Sequence, residues 1–534
     1  MSEMYDAIVI GAGHNGLTAA AYLGRAGLRV LVLERRTMVG GCAVTEAVDP
    51  IAAPGCRVST ASYVASMLRP EVIRDLDLPR HGLRMVPCDP GVQIALPEGI
   101  VVPWWGNSER CRAELVRYSA RDADRFLELD RELKSLAAYL EPFFMEPPPD
   151  LHATGLKRWQ EMWRVLRRFH RVSGAEIERL MQFLTGSLGE LLERKFESDV
   201  IRRLILANNT YGKHGGPYQS GSAMGLLFHL LSGGEQQAQG FQGHVIGGMG
   251  AITQAMAAAC RSYQVEIRTD APVAQITVRD GRAVGVVLEN GMELTAQAVV
   301  SNCDPKRTFL TLVDKNALEP AFRAAVECIR MAGPAAKVNF VLDREPEVRG
   351  MPATHTPAQR SFFTLVPTLR GAEDCYNLAV RADLPADLWV DCVMASNVDP
   401  TLASAGRHIL TCFVQYVPYR LNQGTWDQRR EELGDSVVCK IGEYAPGFAD
   451  SIIARRVLTP LDLERIFGIT EGNIFHGDLS LDQLFFMRPL PGWSQYRTPV
   501  AGLYLCGAGT HPGGGVTGAP GHNAAHRILR DLRK

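Results

Sequence analysis

Three observations predict an α/β fold in which a parallel-sheet domain, discontinuous in sequence, is interrupted by an inserted α+β domain. A strand, a glycine turn, a helix and a second strand follow one another over residues 6–34. A β-meander lies near the middle of the chain, and a strand enters a glycine-dense loop at 502–518. Glycine clusters beside each of them. Of 51 glycines, seven fall in each of the windows 11–41, 233–250 and 507–521, so the excess is local and reflects tight backbone approach rather than overall composition.

Asp6–Ile10 is a short, β-branched apolar run of the kind that forms a buried parallel strand. Gly11-Ala12-Gly13-His14-Asn15-Gly16 follows, then helix formers from Leu17 to Ala26, a helix-ending Gly27 and a second strand, Leu28–Leu33. This is a G-x-G-x-x-G turn inside a βαβ unit of about 30 residues, the arrangement that binds a dinucleotide. Gly11 allows the tight turn, Gly13 lets a pyrophosphate approach the backbone, and Gly16 permits close packing of helix on strand. The first N–H groups of the helix then face the phosphates. Glu34 ends the second strand where an acid holds ribose hydroxyls, which fits FAD or NAD better than NADP. Gly40-Gly41 reads either as a plain turn or as backbone N–H groups directed at the same pyrophosphate.

In the middle, Gly247-Gly248-Met249-Gly250 opens a helix from Ala251 to Cys260, as a helix-entry turn or as a ligand-facing loop. Strands are expected at Val265–Arg268 and Val273–Val278. The turn signals Asp280-Gly281 and Asn290-Gly291 then set off Ala283–Leu288 and Glu293–Ala296, with a further buried strand at Ala298–Ser301. At the end of the chain Gly502–Cys506 is a strand, 507–518 a glycine-dense loop and Pro520–Leu532 a helix. Two glycine loops at opposite ends of the chain argue for one cofactor spanning both, which favours FAD over NAD. The resulting division gives the nucleotide-binding domain residues 1–80, 245–305 and 491–534, and the inserted substrate domain residues 81–244 and 306–490.

Bulk features exclude several classes. Lys plus Arg number 57 against 58 acids, which argues against a nucleic-acid partner. Twelve cysteines contain no Cys-x-x-Cys pair, excluding a local dithiol or a zinc ribbon and suiting a reducing compartment; no metal site is expected. The start carries Glu3 and Asp6 without a basic region, and the apolar stretch 7–33 is broken by glycines and charges, so neither a secretory signal nor a spanning helix is expected. The expected location is the cytoplasm, or an organelle matrix in a eukaryote. Leu156–Val172 sets Trp159, Met162, Trp163, Leu166 and Phe169 at helical spacing, with Lys157, Arg158, Arg164, Arg167 and Arg168 between them. Such a helix either lies on an anionic membrane surface or packs on its own domain or a partner subunit. Pro142 and Pro147–Pro149 break the chain before it, and Glu345–Pro357 reads as an exposed loop.

Gly507-Ala508-Gly509-Thr510-His511-Pro512-Gly513, together with the N-terminal motif and the Gly247 region, resembles the signature of the phytoene desaturase-like, or carotenoid desaturase and isomerase, flavoprotein family. The His14-Asn15 pair, the segment 208–230 and the run 243–256 are similar to one branch of it, the pyridine nucleotide-disulphide oxidoreductase domain-containing protein 2 group. The resemblance implies a Rossmann-like FAD-binding domain of glutathione-reductase or amine-oxidase type, and noncovalent FAD. It implies that Gly11, Gly13 and Gly16 meet the pyrophosphate and Glu34 the adenosine ribose, that Gly40 and Gly41 flank the phosphates, that the Val273 backbone meets adenine, and that the loop from Gly507 to Thr517, with Ala508, Gly509 and Val516, lies along ribityl and flavin. Ala12, Asn15, Arg35, Cys42 and Ala43 are further cofactor-binding candidates. Two positions depart from the family. Cys42 stands where many relatives have Arg, which argues against carotenoid desaturation specifically, and Gly514 widens the glycine run.

Because a flavin carries the redox chemistry itself, no catalytic dyad is required. His511, inside the flavin-side loop, is the first candidate for a polar group beside the ring; its alternative role is to brace that loop. Tyr211 and His214 either line the pocket or serve structure, and Cys506 either links a flavin or packs as a strand residue. The implied activity is FAD-dependent hydride transfer to or from an apolar, polyene- or isoprenoid-like small molecule, with oxygen, a quinone or a protein as electron acceptor. The alternatives are an amine-oxidase-like flavoenzyme acting on C–N bonds and a flavin-bearing scaffold acting through Leu156–Val172.

Overall fold

The first apolar run, Tyr5–Ile10, forms the inner strand of a seven-stranded sheet in a computed structural model that describes residues 4–170, 172–209, 215–228, 230–231 and 242–533. The side chains of residues 157, 168, 169 and 242 lie outside that description. Tyr5–Ile10 pairs in parallel with Val30–Leu33 on one side and with Glu293–Ser301 on the other. Glu266–Arg268 extends the sheet past Val30–Leu33, and Leu503–Leu505 joins it in parallel with residues 299–301. The strands Val273–Arg279 and Arg282–Leu288 complete it as an antiparallel ribbon. Parallel strands buried on both faces explain the nearly continuous apolar runs. Their C-terminal ends bring residues 11, 34, 302 and 506 to one edge, where open α/β sheets bind ligands.

Most expected boundaries differ from the observed ones by no more than two residues, and two elements differ by more. The helix after the first strand is His14–Arg25 and starts three residues early, because Gly13 is its extended N-cap and the Leu17 N–H already bonds the Gly13 carbonyl at 2.9 Å. The two strands expected at 293–296 and 298–301 are one, Glu293–Ser301. Its first residues pair antiparallel with Gly285–Val287 and its last residues pair in parallel with Ile8–Ile10, so a single extended segment serves both parts of the sheet. The helix His14–Arg25 packs its alanines 19–21 among Met256 and Ala257 of Gly250–Ser262 and Ala524 and Ala525 of Ala519–Leu532.

A second seven-stranded sheet runs in the order 452–458, 335–342, 408–415, 389–394, 362–365, 92–96, 100–104. Its pairs are antiparallel except 362–365 with 92–96. One face carries an apolar core with Val338, Phe340, Cys392 and Cys412. The alternate residues of the same strands place Lys337, Asn339, Thr411 and Asp391 on the other face, all fully buried. The helices Ser108–Leu115, Ala120–Leu140, Gly174–Thr185, Leu188–Lys195 and Asp199–Ala207 share an apolar core with this sheet, whereas the helix Gly155–Phe169, the expected amphipathic segment, lies outside that core. All twelve cysteines are free thiols. Among the described residues no helix is long and apolar enough to cross a membrane.

Candidate functional site

At the C-terminal edge of the first sheet a cleft is walled by Gly11, Gly13, Asn15, Glu34, Arg35, Gly41, Cys42, Val273 and Ala508. These come from five separated stretches of chain. The cleft is built to keep side chains out. Gly11 has φ +94° and Gly40 φ +133°, conformations that glycine tolerates at little cost. A Cβ on Gly13 would sit 2.8 Å from Asn302 Nδ2, and one on Gly16 would sit 2.2 Å from the Gly11 carbonyl oxygen. The Gly40 N–H donates to the Ala12 carbonyl at 2.8 Å, so the two N-terminal glycine turns are locked together. Ala12, Gly16, Gly40 and Ala43 thus form the turns beneath the cleft. The described end of the middle glycine window, Gly247–Gly250, with the helix it opens, braces them from behind: the Gly250 N–H donates to Thr45 Oγ1 at 3.0 Å, and Thr253 Oγ1 donates to the Ala43 carbonyl at 2.8 Å. Of its two readings, the helix-entry turn is the one observed.

Glu34 is held rigidly. One carboxylate oxygen accepts the Ala12 N–H at 2.8 Å and the other accepts the Arg36 N–H at 3.0 Å, which aims the group into the cleft with lone pairs to spare. Asn15 is buried, and its Oδ1 has no hydrogen-bond partner among the described residues. A buried acceptor without a partner is costly, and such an atom on a cleft wall marks a place where a ligand donates. Burial pushes the Cys42 thiol up to about 12, so it is an inert wall rather than a thiolate.

The C-terminal loop joins this cleft to a second cavity. Ala508 faces the cleft, whereas His511 and Pro512 face an apolar cavity of about 780 Å³. Gly507, Gly509, Val516 and Thr517 belong to the same loop and its continuation into the last helix. His14 ties the two ends of the chain together through Nε2 and the Gly515 carbonyl, 3.0 Å apart, and burial lowers its pKa to about 4. The added Gly514 has a steric reason: a Cβ there would lie 2.2 Å from Phe475 Cδ1.

His511 is both a brace and a wall. Its Nε2 lies 2.7 Å from the Phe143 carbonyl oxygen, which requires the proton on Nε2 and leaves Nδ1 a bare acceptor without a partner among the described residues. Burial lowers its pKa to about 4, so the ring is neutral near pH 7. Cys506 is a fully buried strand-end residue whose thiol burial raises strongly. Tyr211 and His214 lie outside the described residues.

Four contributors escaped the sequence reading. Asn302 follows the strand Glu293–Ser301 and donates from Nδ2 to the Gly11 carbonyl at 3.3 Å; the parallel register Ile10 to Ser301 is the signal that places it there. Arg307 and His476 also face the cleft. Arg488, 2% exposed, donates to the carbonyls of Ala508, Asp478 and Gln483 at 2.9 to 3.1 Å and to those of Phe475 and Gly477, stitching the loops between cleft and cavity.

The chain matches the family described as flavin containing amine oxidoreductase over residues 16–383. It is 37% identical to pyridine nucleotide-disulfide oxidoreductase domain-containing protein 2 of Rattus norvegicus, across 99% of this chain and 94% of the relative. It is 28% identical to a limonene dehydrogenase subunit of Castellaniella defragrans, across 100% and 96% of the two chains. Against the lycopene-forming phytoene desaturase of Pseudescherichia vulneris the identity is 24%, across 99% and 100%. Among solved structures, cyclohexylamine oxidase from Brevibacterium oxydans shares the fold with a TM-score of 0.57 at 17% identity, each chain covered in full.

Proposed function

From the premise that the chain belongs to the flavin containing amine oxidoreductase family, we propose that it is an FAD-dependent oxidoreductase whose substrate is an apolar, isoprenoid-like molecule. The observation that carries this reading is the cavity of about 780 Å³, lined mainly by Leu, Phe and Met side chains with Asp150, Arg158 and Glu161 among them, and separated from the glycine cleft by the loop 508–512 that lines both. Its volume is in the upper part of the range of about 300–1,000 Å³ for ligand sites. The limonene dehydrogenase subunit and phytoene desaturase, both named for isoprenoid hydrocarbons, are relatives over the full chain.

The cleft fits FAD. Gly11 and Gly13 leave the backbone open to a pyrophosphate, the N-terminus of His14–Arg25 faces it, and the unpartnered Asn15 Oδ1 and the fixed Glu34 carboxylate await hydroxyl donors. On this reading Val273, at the cleft wall, would hold the adenine end, and the loop Gly507–Thr517, of which Ala508 reaches the cleft, would run along ribityl and ring. No cysteine at the site is poised as a thiolate, in keeping with noncovalent binding. FAD, when bound, supplies hydride acceptance and donation. The protein's own part is to orient the substrate and exclude water with the apolar wall. His511, neutral and with Nδ1 unpartnered, offers a hydrogen-bond acceptor there rather than a strong base.

The amine-oxidase alternative requires a group that holds a cationic amine. The carboxylates on the cavity wall are both engaged, Asp150 accepting the His152 N–H at 3.2 Å and Glu161 paired with Arg164 at 2.8 Å, so the apolar reading is preferred. Two measurements test it. Acid denaturation should release FAD quantitatively into solution. In the native protein, bound flavin should change redox state with members of a terpene and polyene panel and not with an amine panel. A flavin that remains on the precipitated protein, or one reduced by amines alone, overturns the reading.

A further inference from the structure

The cavity opens where the surface is least suited to water. Leu151, Met162, Leu166, Leu481 and Phe486 line the cavity and are also exposed large apolar residues. On the helix Gly155–Phe169 the exposed stripe continues away from the cavity through Leu156, Trp159 and Trp163, which are 83%, 68% and 61% exposed. At 100° per residue these three and Leu166 occupy one side of the helix, with Arg167 along one border and Arg158, itself at the cavity wall, along the other. Over residues 155–171 the sequence carries six Lys and Arg against a single acid, Glu161, although the chain as a whole is nearly neutral. Not all of these bases are available. Arg164 is paired with Glu161 and Glu146 and donates to the Pro147 carbonyl, which holds the helix to the preceding segment rather than offering a free cation.

An exposed apolar stripe containing two tryptophans and bordered by arginines has the chemistry of a helix that lies in a lipid–water interface. The apolar side chains enter the acyl boundary, the indoles sit at headgroup level, and the guanidinium groups meet anionic headgroups. Continuity with the cavity mouth gives this surface a use. We propose that the helix Gly155–Phe169, with Leu151, Leu481 and Phe486, seats the cavity mouth on an anionic bilayer, so that a water-insoluble substrate passes from lipid into the cavity without crossing water. The occupant is the lipid surface; the cationic borders favour it over a second copy of the same cationic stripe. The entry route rests on the apolar-substrate reading above, whereas the docking itself does not.

Co-sedimentation of the full-length protein with vesicles tests the docking, using phosphatidylglycerol mixed with phosphatidylcholine against phosphatidylcholine alone. Binding is expected on the anionic vesicles and should weaken with added salt. Arg158→Glu with Arg167→Glu should lower the partition coefficient by about tenfold or more. Trp159→Ser with Trp163→Ser should lower it similarly, while Arg407→Glu, in an exposed turn before the strand His408–Gln415 of the second sheet, should not. Quenching by lipids brominated on the acyl chain should be lost in Trp159→Phe with Trp163→Phe, a change that keeps the apolar surface. Bound-flavin absorbance measured on each variant reports folding and cofactor content separately. A protein with its flavin that ignores anionic vesicles overturns the proposal. So does binding unchanged by the arginine and tryptophan variants, or a dimer in light scattering that dissociates when Trp159 and Trp163 are replaced. Absence of flavin in a protein that still binds vesicles would instead overturn the proposed function and leave the docking standing.

Discussion

At the scale of single residues, the site depends on atoms that are missing and on a few that are buried. Gly13→Val places a side chain where even a Cβ would lie 2.8 Å from Asn302 Nδ2 and on the path of the pyrophosphate. The variant is expected to fold and to purify without flavin; flavin absorbance alongside far-ultraviolet circular dichroism checks this, and full occupancy would contradict it. Arg488→Leu leaves at least three buried carbonyls without a donor, at roughly 1–3 kcal/mol for each that water does not reach. A loss of about 3 kcal/mol or more in denaturant unfolding is expected, and a change below about 1 kcal/mol would show that the guanidinium is dispensable. The glycines were legible because their spacing is dictated by local backbone geometry. Asn302 and Arg488 were not, since an asparagine or an arginine acquires meaning only from its partner. Asn302 meets Gly11 across 291 residues of sequence, and the acceptors of Arg488 lie in separate loops.

Among the elements, the buried polar face of the second sheet makes the sharpest prediction. Lys337 Nζ donates to Thr411 Oγ1 at 2.6 Å and lies 4.6 Å from the Tyr63 ring centroid. On the same face Asp391 accepts from Tyr63 OH at 3.0 Å and from Thr364 Oγ1 at 2.9 Å. Burial drives Lys337 down to about 7 from its ordinary 10.5, only partly opposed by the nearby Cys412, Asp391 and Cys392. Burial likewise drives Asp391 up to about 7, despite its hydrogen bonds and Lys337. Between pH 7 and 10.5 the unfolded chain holds a proton that folded Lys337 has given up, so this group makes stability rise with pH across that window. Its penalty is present in full below pH 7 and gone above 10.5. Lys337→Met removes the penalty, so its advantage over the wild type should shrink by roughly 1 kcal/mol per pH unit as pH is raised from 7 towards 10. Urea midpoints at several pH values measure this; a constant difference would mean that the lysine is charged and well solvated. The strands of this sheet read from sequence only as part of an inserted domain, because alternating faces that are both buried carry no clear period-two pattern. The ribbon at 273–301 was legible by contrast, since Asp280-Gly281 and Asn290-Gly291 mark its turns. Only the fusion of its last two strands was hidden, because a change of pairing partner leaves no mark in composition.

For the whole molecule, the first and last glycine windows and the described part of the middle one, Gly243–Gly250, far apart in sequence, gather at one edge of one sheet. The first and last meet through His14 and Gly515, and the middle one supports the Gly40–Thr45 turn from behind. The sequence indicated the convergence and the cofactor class, but not the cavity, whose wall is assembled from helices and loops between residues 140 and 231 and between 481 and 512. Single side chains there look like ordinary core, and only their failure to fill the space distinguishes them. The same holds for Leu156–Phe169: its amphipathic pattern was evident, but its position at the mouth of the cavity was not. The function proposed above requires that the loop 507–512 set a flavin against an apolar chamber, and the structure of the FAD complex decides whether it does. An isoalloxazine ring lying along Gly507–His511, with one face open to the cavity bounded by Phe143, Phe228 and Phe485, is expected. A ring sealed from that cavity, or one facing a polar pocket elsewhere, would contradict it.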